Sequence, residues 1–246
     1  MKKCRFVYLD TIRTGTLESD YSKVVCDDTR EVIDSAAVSF LPPVEPSKIV
    51  CVGRNYADHA KELGNAVPSA PLLFLKAPSS LITTDDAILI PEQSDQVEHE
   101  GELAVIIGRK CKNISMADQP LSYAAGFTCL NDVTARDVQK NDVQFTRGKS
   151  FDTFCPVLHY FETEVDPLDL AVVTRVNGVV KQEGRTSQMV FPVDFLISYI
   201  SHQMTLNPGD IIATGTPSGV SKLSAGDICE VEITGIGTLK NPVNRA

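Results

Sequence analysis

The sequence predicts an α+β protein with a mixed or antiparallel sheet, and three observations carry that expectation. Short apolar runs separated by turn residues recur along the whole chain, as strands do. Apolar residues at helical spacing dominate only one long segment, Val193 to Met204. An Asn177-Gly178 pair stands between two valine-rich runs, the strongest local signal for a hairpin. The chain has 246 residues, 43% hydrophobic and 22% charged, enough for one substantial core with a small appended unit.

Taken in order, Cys4–Leu9, Lys23–Cys26 and Val38–Leu41 are short apolar runs bounded by turn residues, so residues 1–46 are expected to form a small strand-rich N-terminal subdomain. Pro42, Pro43 and Pro46 interrupt any ladder there and set a boundary before a second unit, residues 47–246. Lys48–Gly53 is a buried strand ending in glycine. Asn55–Leu63 is a short helix with Asp58 near its start and Gly64 as its stop. Leu72–Leu75 and Ala87–Ile90 are strands about a turn at Asp85-Asp86. Ala124–Leu130 is a buried strand, and Thr134–Asn141 a helical turn or loop. Val172–Val176 and Val179–Gln182 flank the Asn-Gly turn. Pro192 opens the one long helix, which Asn207-Pro208-Gly209 ends. Gly209-Asp-Ile-Ile and Gly226-Asp-Ile-Cys are matched turn-then-strand starts that predict a late antiparallel meander.

Composition excludes several roles. A formal charge of −9 argues against nucleic acid or an anionic membrane as partner. The longest continuous apolar run considered, Leu103–Ile107, is far too short to cross a bilayer. Seven scattered cysteines without a C-x-x-C pair predict neither a disulfide scaffold nor a zinc-thiolate site, and they fit a reducing cytoplasm. The first ten residues lack the apolar stretch of a secretory leader, so none is expected.

The stretch Val97-Glu-His-Glu-Gly-Glu-Leu-Ala-Val-Ile-Ile-Gly108 sets Glu98, Glu100 and Glu102 at alternate positions. In a strand they share one face, roughly 7 Å apart, and each adjacent pair repels by roughly 2 kcal/mol at a half-buried dielectric. A solvated edge strand would tolerate this, but the following apolar run reads as buried on both faces. A divalent cation resolves the conflict, since hard ions take carboxylate oxygens. Asp132, at the end of a second apolar strand, is a further candidate ligand, and spacing alone does not choose among the four acids.

Five segments together carry a resemblance: Cys51-Val-Gly-Arg-Asn-Tyr-Ala-Asp-His59, His99–Gly108, Asn131-Asp-Val-Thr-Ala-Arg-Asp-Val-Gln139, Gly148-Lys-Ser-Phe151, and Gly209–Val220. From about residue 48 to the C-terminus the chain resembles the fumarylacetoacetate hydrolase family, in particular its compact branch of acylpyruvases, oxaloacetate decarboxylases and 2-hydroxyhepta-2,4-diene-1,7-dioate isomerases. The resemblance implies that family's mixed-sheet roll with few short helices, and Mg2+ held by Glu100, Glu102 and Asp132, with Mn2+ or Ca2+ as alternatives. Val52 stands where larger members add a fourth carboxylate, so Glu98 becomes a supporting acid. His59 and Glu62, three apart on one helix face, resemble a general base and the carboxylate that orients it. Lys149 and Gln139 resemble residues that bind substrate or attacking water, with Lys149 counted among the catalytic groups. Arg54, Tyr56, Lys76, Arg136, Gly215 and Thr216 complete the implied substrate side.

The chemistry so implied is metal-dependent and acts on small anionic 2-oxo acids through an enolate, which the ion stabilises as a Lewis acid. Hydrolysis of a C–C bond in an acylpyruvate leads the expectations. Decarboxylation, tautomerisation or isomerisation of oxaloacetate or a 2-hydroxy-dienedioate follows. The non-enzymatic alternative is a module whose ion only cross-links strands. A homodimer is expected from the family.

Overall fold

The apolar strand that follows the acidic residues, Gly101–Ile107, lies inside the larger of two main sheets, in a computed structural model that describes residues 1–246. All seven of its residues are buried, and the five from Leu103 to Ile107 send their side chains into two cores. Leu103, Val105 and Ile107 join the main core, while Ala104 and Ile106 join a smaller one on the other face. The strand pairs antiparallel with Ala124–Asn131 on one side and with Ile211–Ala213 on the other. Ile211–Ala213 runs parallel to Ile49–Gly53, which pairs antiparallel with the edge strand Leu72–Lys76. The parallel pairing makes the sheet mixed.

The first 46 residues supply five strands: Lys2–Tyr8, Thr11–Leu17, Lys23–Cys26, Val32–Asp34 and Ser39–Leu41. They extend the same sheet through the pairing of Lys2–Cys4 with Tyr160–Glu162. Thr11–Leu17 and Val32–Asp34 carry too few consecutive apolar residues to be found by an apolar-run criterion. Threonine, isoleucine and valine nevertheless suit a pleated, half-buried surface.

A five-stranded sheet runs in the order Val179–Arg185, Ala171–Val176, Ile228–Ile233, Gly237–Arg245, Ile88–Ile90. Its hairpin turns at Asn177 (φ 53°) and Gly178 (φ 77°), both left-handed as a type I′ turn requires. The two sheets touch at Gly101, where a Cβ would lie 2.1 Å from Thr174 Oγ1 and 3.1 Å from Val231 Cγ1. Only glycine permits that approach.

The predicted late meander is not formed. The strand after Gly209-Asp210 belongs to the larger sheet and the strand after Gly226-Asp227 to the smaller one. The two aspartates have different partners. Asp210 accepts the Ser47 and Lys48 backbone N–H groups at 3.0 and 3.2 Å, tying its strand to Ile49–Gly53. Asp227 accepts from Asn177 Nδ2 at 2.8 Å, tying its strand to the hairpin.

Four helices complete the chain: α1 (Ala57–Glu62), α2 (Arg136–Asn141), α3 (Thr146–Lys149) and α4 (Val193–Gln203). Only α4 exceeds two turns, and its Val193, Leu196, Ile197 and Ile200 pack into the main core. No helix is long and apolar enough to cross a membrane. All seven cysteines are buried and unpaired.

Candidate functional site

Register brings the acids together. Pairing Gly101 with Asn131 and Glu102 with Leu130 leaves Glu100 and Asp132 side by side, just past the paired residues. The Glu100 N–H donates to Asn131 Oδ1 at 2.9 Å and the Asp132 N–H to the Glu100 carbonyl at 2.8 Å, fixing both backbones. The uninterrupted alternation predicted for residues 98–102 does not hold. Val97–Glu98 is a separate two-residue strand paired with Thr134–Ala135, and strand pairing is interrupted at His99-Glu100. His99 faces away, with Nδ1 3.0 Å from Gln182 Oε1 and Nε2 2.8 Å from Ser221 Oγ. One oxygen each from Glu100, Glu102 and Asp132, all buried, lies within 4.8 Å of the others.

Three buried cations surround these acids. Lys149, on α3, donates to Glu100 Oε2 at 2.8 Å and Asp132 Oδ2 at 2.6 Å. Lys76 donates to Asp132 Oδ1 at 2.7 Å and the Val133 carbonyl at 3.1 Å. Arg136, on α2, donates to Glu98 Oε2 and Gln139 Oε1, each at 2.7 Å, and to Glu100. It forms no ion pair with Asp132 or Asp137. Gly148 allows α3 to close on α2, since a Cβ there would lie 3.0 Å from the Gln139 nitrogen.

Glu102 alone has no cationic partner; it accepts only the Gly215 N–H, at 2.8 Å. Burial pushes its carboxyl well above the usual carboxylate range, and Asp132 and Glu100 push in the same direction. For Glu100, burial acts upward too, but Lys149, Arg136 and His59 outweigh it and hold the carboxyl below its usual range. Burial works against the Lys149 ammonium, yet Asp132 and Glu100 reverse that and raise its pKa.

Ionising all four carboxylates against three cations would leave one negative charge unbalanced, which is why Glu102 resists ionisation; a divalent ion would convert that balance to one positive. An octahedral Mg2+ or Mn2+ with bonds of about 2.1 Å spans oxygens up to about 4.2 Å apart, so small side-chain rotations close this cluster on one. The all-oxygen donor set, with Glu102 lacking a counter-charge, fits such an ion.

The cluster forms the floor of a cavity of about 260 Å³, also lined by His59, Arg54, Gln139 and Thr216 and by the apolar Leu63, Leu72, Phe74 and Phe145. His59 is buried on α1, with Nδ1 3.3 Å from Glu62 Oε2. Glu62 also accepts the Gly219 N–H at 3.0 and 3.2 Å, latching α1 to the loop after Ile211–Ala213. Asn55 holds the other end. Its Nδ2 donates to the Thr214 carbonyl at 2.7 Å and the Phe191 carbonyl at 3.0 Å, and its Oδ1 accepts the Phe191 N–H at 2.8 Å.

Three expected substrate residues sit elsewhere. Lys76 lies behind Asp132 rather than on the cavity wall. Tyr56 is buried in the main core with its hydroxyl unpartnered, because an aromatic ring preceding α1 packs inward. Gly215 spends its N–H on Glu102, and the Thr216 hydroxyl, though on the wall, donates to the Gly101 carbonyl at 2.8 Å. Leu63, Leu72 and Phe74 fall in the predicted helix and strand, but nothing in those patterns marks them as a cavity wall, and Phe145 falls in a segment without a pattern. Asn55 could have been found, lying inside the Gly-Arg-Asn-Tyr motif.

Comparison with known proteins adds an independent line. Residues 48–244 match the family model described as fumarylacetoacetate (FAA) hydrolase C-terminal. A protein of Archaeoglobus fulgidus described as uncharacterized is 49% identical over 237 residues, 96% of this chain and 94% of that one. The mitochondrial oxaloacetate tautomerase fahd2 of Xenopus laevis is 42% identical over 235 residues, 90% of this chain and 73% of its own. The crystal structure of a 5-carboxymethyl-2-hydroxymuconate delta-isomerase from Mycobacterium smegmatis superposes with a TM-score of 0.92 at 41% identity, covering 100% of this chain and 99% of that one.

Proposed function

Since the chain belongs to the fumarylacetoacetate hydrolase family, we propose that it is a divalent-metal-dependent enzyme that interconverts the keto and enol forms of a small 2-oxo acid. The observation that carries this is the meeting of three buried carboxylates with His59, itself paired to Glu62, around one cavity. The tautomerase and isomerase names of the relatives support proton transfer over bond cleavage. Glu100, Glu102 and Asp132 would hold the ion, with Mg2+ the ion we favour, and the bound ion would act as a Lewis acid on the 2-oxo group, where enolate charge develops.

The chain's own residues do the rest. With Nδ1–H donated to Glu62, His59 presents Nε2 as the atom that takes a proton from the carbon beside the 2-oxo group on enolisation, while a proton from solvent ends on the enol oxygen. In the reverse direction it protonates the same carbon. Lys149 and the Nε2 group of Gln139, whose Oε1 is taken by Arg136, face the cavity and hold the substrate's carboxylate. Leu72, Phe74 and Phe145 exclude water, which strengthens these charges.

A second reading, hydrolysis of an acylpyruvate, is favoured by the same His59–Glu62 pair, which could equally deprotonate a water molecule. Following the enol absorbance of oxaloacetate with Mg2+, and acetylpyruvate cleavage in parallel, separates the two. Wild-type protein should speed tautomer relaxation, and His59→Ala should lower kcat at least 100-fold. If Mg2+-loaded wild type accelerates neither reaction, the function is wrong. We also take the protein to be a homodimer. The free apolar edge Leu72–Lys76, with Leu75 43% exposed, supports this, and sedimentation velocity decides it.

A further inference from the structure

One buried side chain outside the cavity joins the acidic cluster to the His59–Glu62 pair. Gln182 lies on the edge strand of the five-stranded sheet, Val179–Arg185, where only Gln182 and Gly184 are buried and every other residue is exposed. A buried amide is costly unless its hydrogen bonds are complete. Here they are. Its Oε1 accepts the Gly101 N–H and the His99 Nδ1–H, both at 3.0 Å, and its Nε2 donates to Thr216 Oγ1 and the Pro217 carbonyl, both at 2.7 Å. These bonds use both acceptor sites and both hydrogens of the group. The backbone partners fix its orientation, because the Gly101 N–H can only donate and the Pro217 carbonyl can only accept.

Each half of the amide serves a different part of the site. Gly101 lies between Glu100 and Glu102, and the Thr216 hydroxyl donates to its carbonyl at 2.8 Å. Gln182 and Thr216 therefore hold both peptide groups that separate the two glutamates. Pro217 belongs to the loop whose Gly215 N–H reaches Glu102 and whose Gly219 N–H reaches Glu62. That loop is pressed onto the strand of Gln182, since a Cβ on Gly184 would lie 2.6 Å from Pro217 Cβ. Gln182 itself does not line the cavity, so it acts only through the groups it holds.

We propose that Gln182 is a positioning residue: its carbonyl oxygen sets the spacing of Glu100 and Glu102, and its amide nitrogen sets the placement of the His59–Glu62 pair. One side chain from the smaller sheet thereby keeps the ion seat and the base in register. This rests on the reading of the acids as ion ligands and of His59 as the base.

Two substitutions separate the halves. Gln182→Met keeps the side-chain length and removes all four bonds. Gln182→Glu keeps an acceptor for Gly101 and His99 but has at most one hydrogen for the two oxygens of the loop. Both are compared with wild type, as full chains, by calorimetric titration with Mg2+ and by kcat and KM for oxaloacetate tautomerisation. Gln182→Met should weaken Mg2+ binding and lower kcat, each about tenfold. Gln182→Glu should lower kcat about tenfold while Mg2+ affinity and KM stay within about twofold of wild type. A residue that only stabilises the fold would move Mg2+ affinity and kcat together in both variants. That result, or a wild-type kcat in Gln182→Glu, overturns the assignment. If Gln182→Met fails to fold, the split in Gln182→Glu decides. Amide exchange of the Mg2+-loaded protein reads the same split without turnover: Gln182→Glu should speed exchange at Gly219 and in α1 and leave residues 101–104 as in wild type. Unchanged or uniformly faster exchange overturns the role. The split in exchange, seen in a protein that turns over no 2-oxo acid, would instead overturn the proposed reaction and leave the positioning role standing.

Discussion

Glu102 is a buried carboxyl that the folded protein leaves without a counter-charge, and a simple substitution exposes the consequence. Glu102→Gln keeps an acceptor for the Gly215 N–H while removing the repulsion from Glu100 and Asp132. In chelator the variant should be more stable than wild type by roughly 1–2 kcal/mol, and Mg2+ should no longer raise its urea midpoint. His159 gives a second residue-level test. Burial lowers its pKa to about 4, so the folded state holds it neutral, with Nδ1 2.9 Å from Thr84 Oγ1. Between about pH 6.5 and 4 the unfolded chain binds a proton that the folded chain does not, so stability is lost as pH falls through that window, by about 3 kcal/mol. Burial shifts His99 in the same direction. His159→Gln should therefore reduce the slope of urea-derived stability against pH without abolishing it.

Short elements hold the reactive groups, and their anchors are the sensitive points. The six-residue α1 cannot fix His59 by its own stability; the Glu62–Gly219 latch and the Asn55 bonds do so. Gly219 has φ +103°, and a Cβ there would lie 2.0 Å from the Lys181 carbonyl. Gly219→Ala should therefore displace the loop and loosen His59. The expected result is a kcat about tenfold lower with the Mg2+-induced stabilisation retained, read by tautomer relaxation and thermal unfolding. At this scale the sequence is informative where a residue's neighbours lie nearby in the chain. The Asn177-Gly178 hairpin and the Pro192-initiated α4 follow from turn and helix chemistry alone. Sheet membership of the strands after Gly209 and Gly226 does not, because it depends on which distant group each aspartate meets. Four acids are legible as ligand candidates bordering apolar strands, and only the family resemblance sets Glu98 apart from Glu100, Glu102 and Asp132. The place of Lys76 behind Asp132 is set by pairing between strands far apart in sequence.

At the scale of the whole molecule, the excess negative charge at the cavity floor couples folding to ion binding. An ion that binds only the folded state at 100 times its Kd adds about 2.7 kcal/mol, which for a chain of this length raises Tm by about 5–10 °C. Differential scanning calorimetry with and without Mg2+ should show that rise, and chelator should reverse it. The two sheets meet at Gly101, between the two glutamates of the cluster, with Thr174 and Val231 pressed against its bare backbone. That contact leaves no freedom for drift at the floor, where any added atom would pry the layers apart. Divergence among copies of this scaffold should accordingly be confined to the rim: a library randomised at Leu63, Asn65 and Phe145 is expected to yield folded proteins with altered substrate choice, and one randomised at Gly101 almost none.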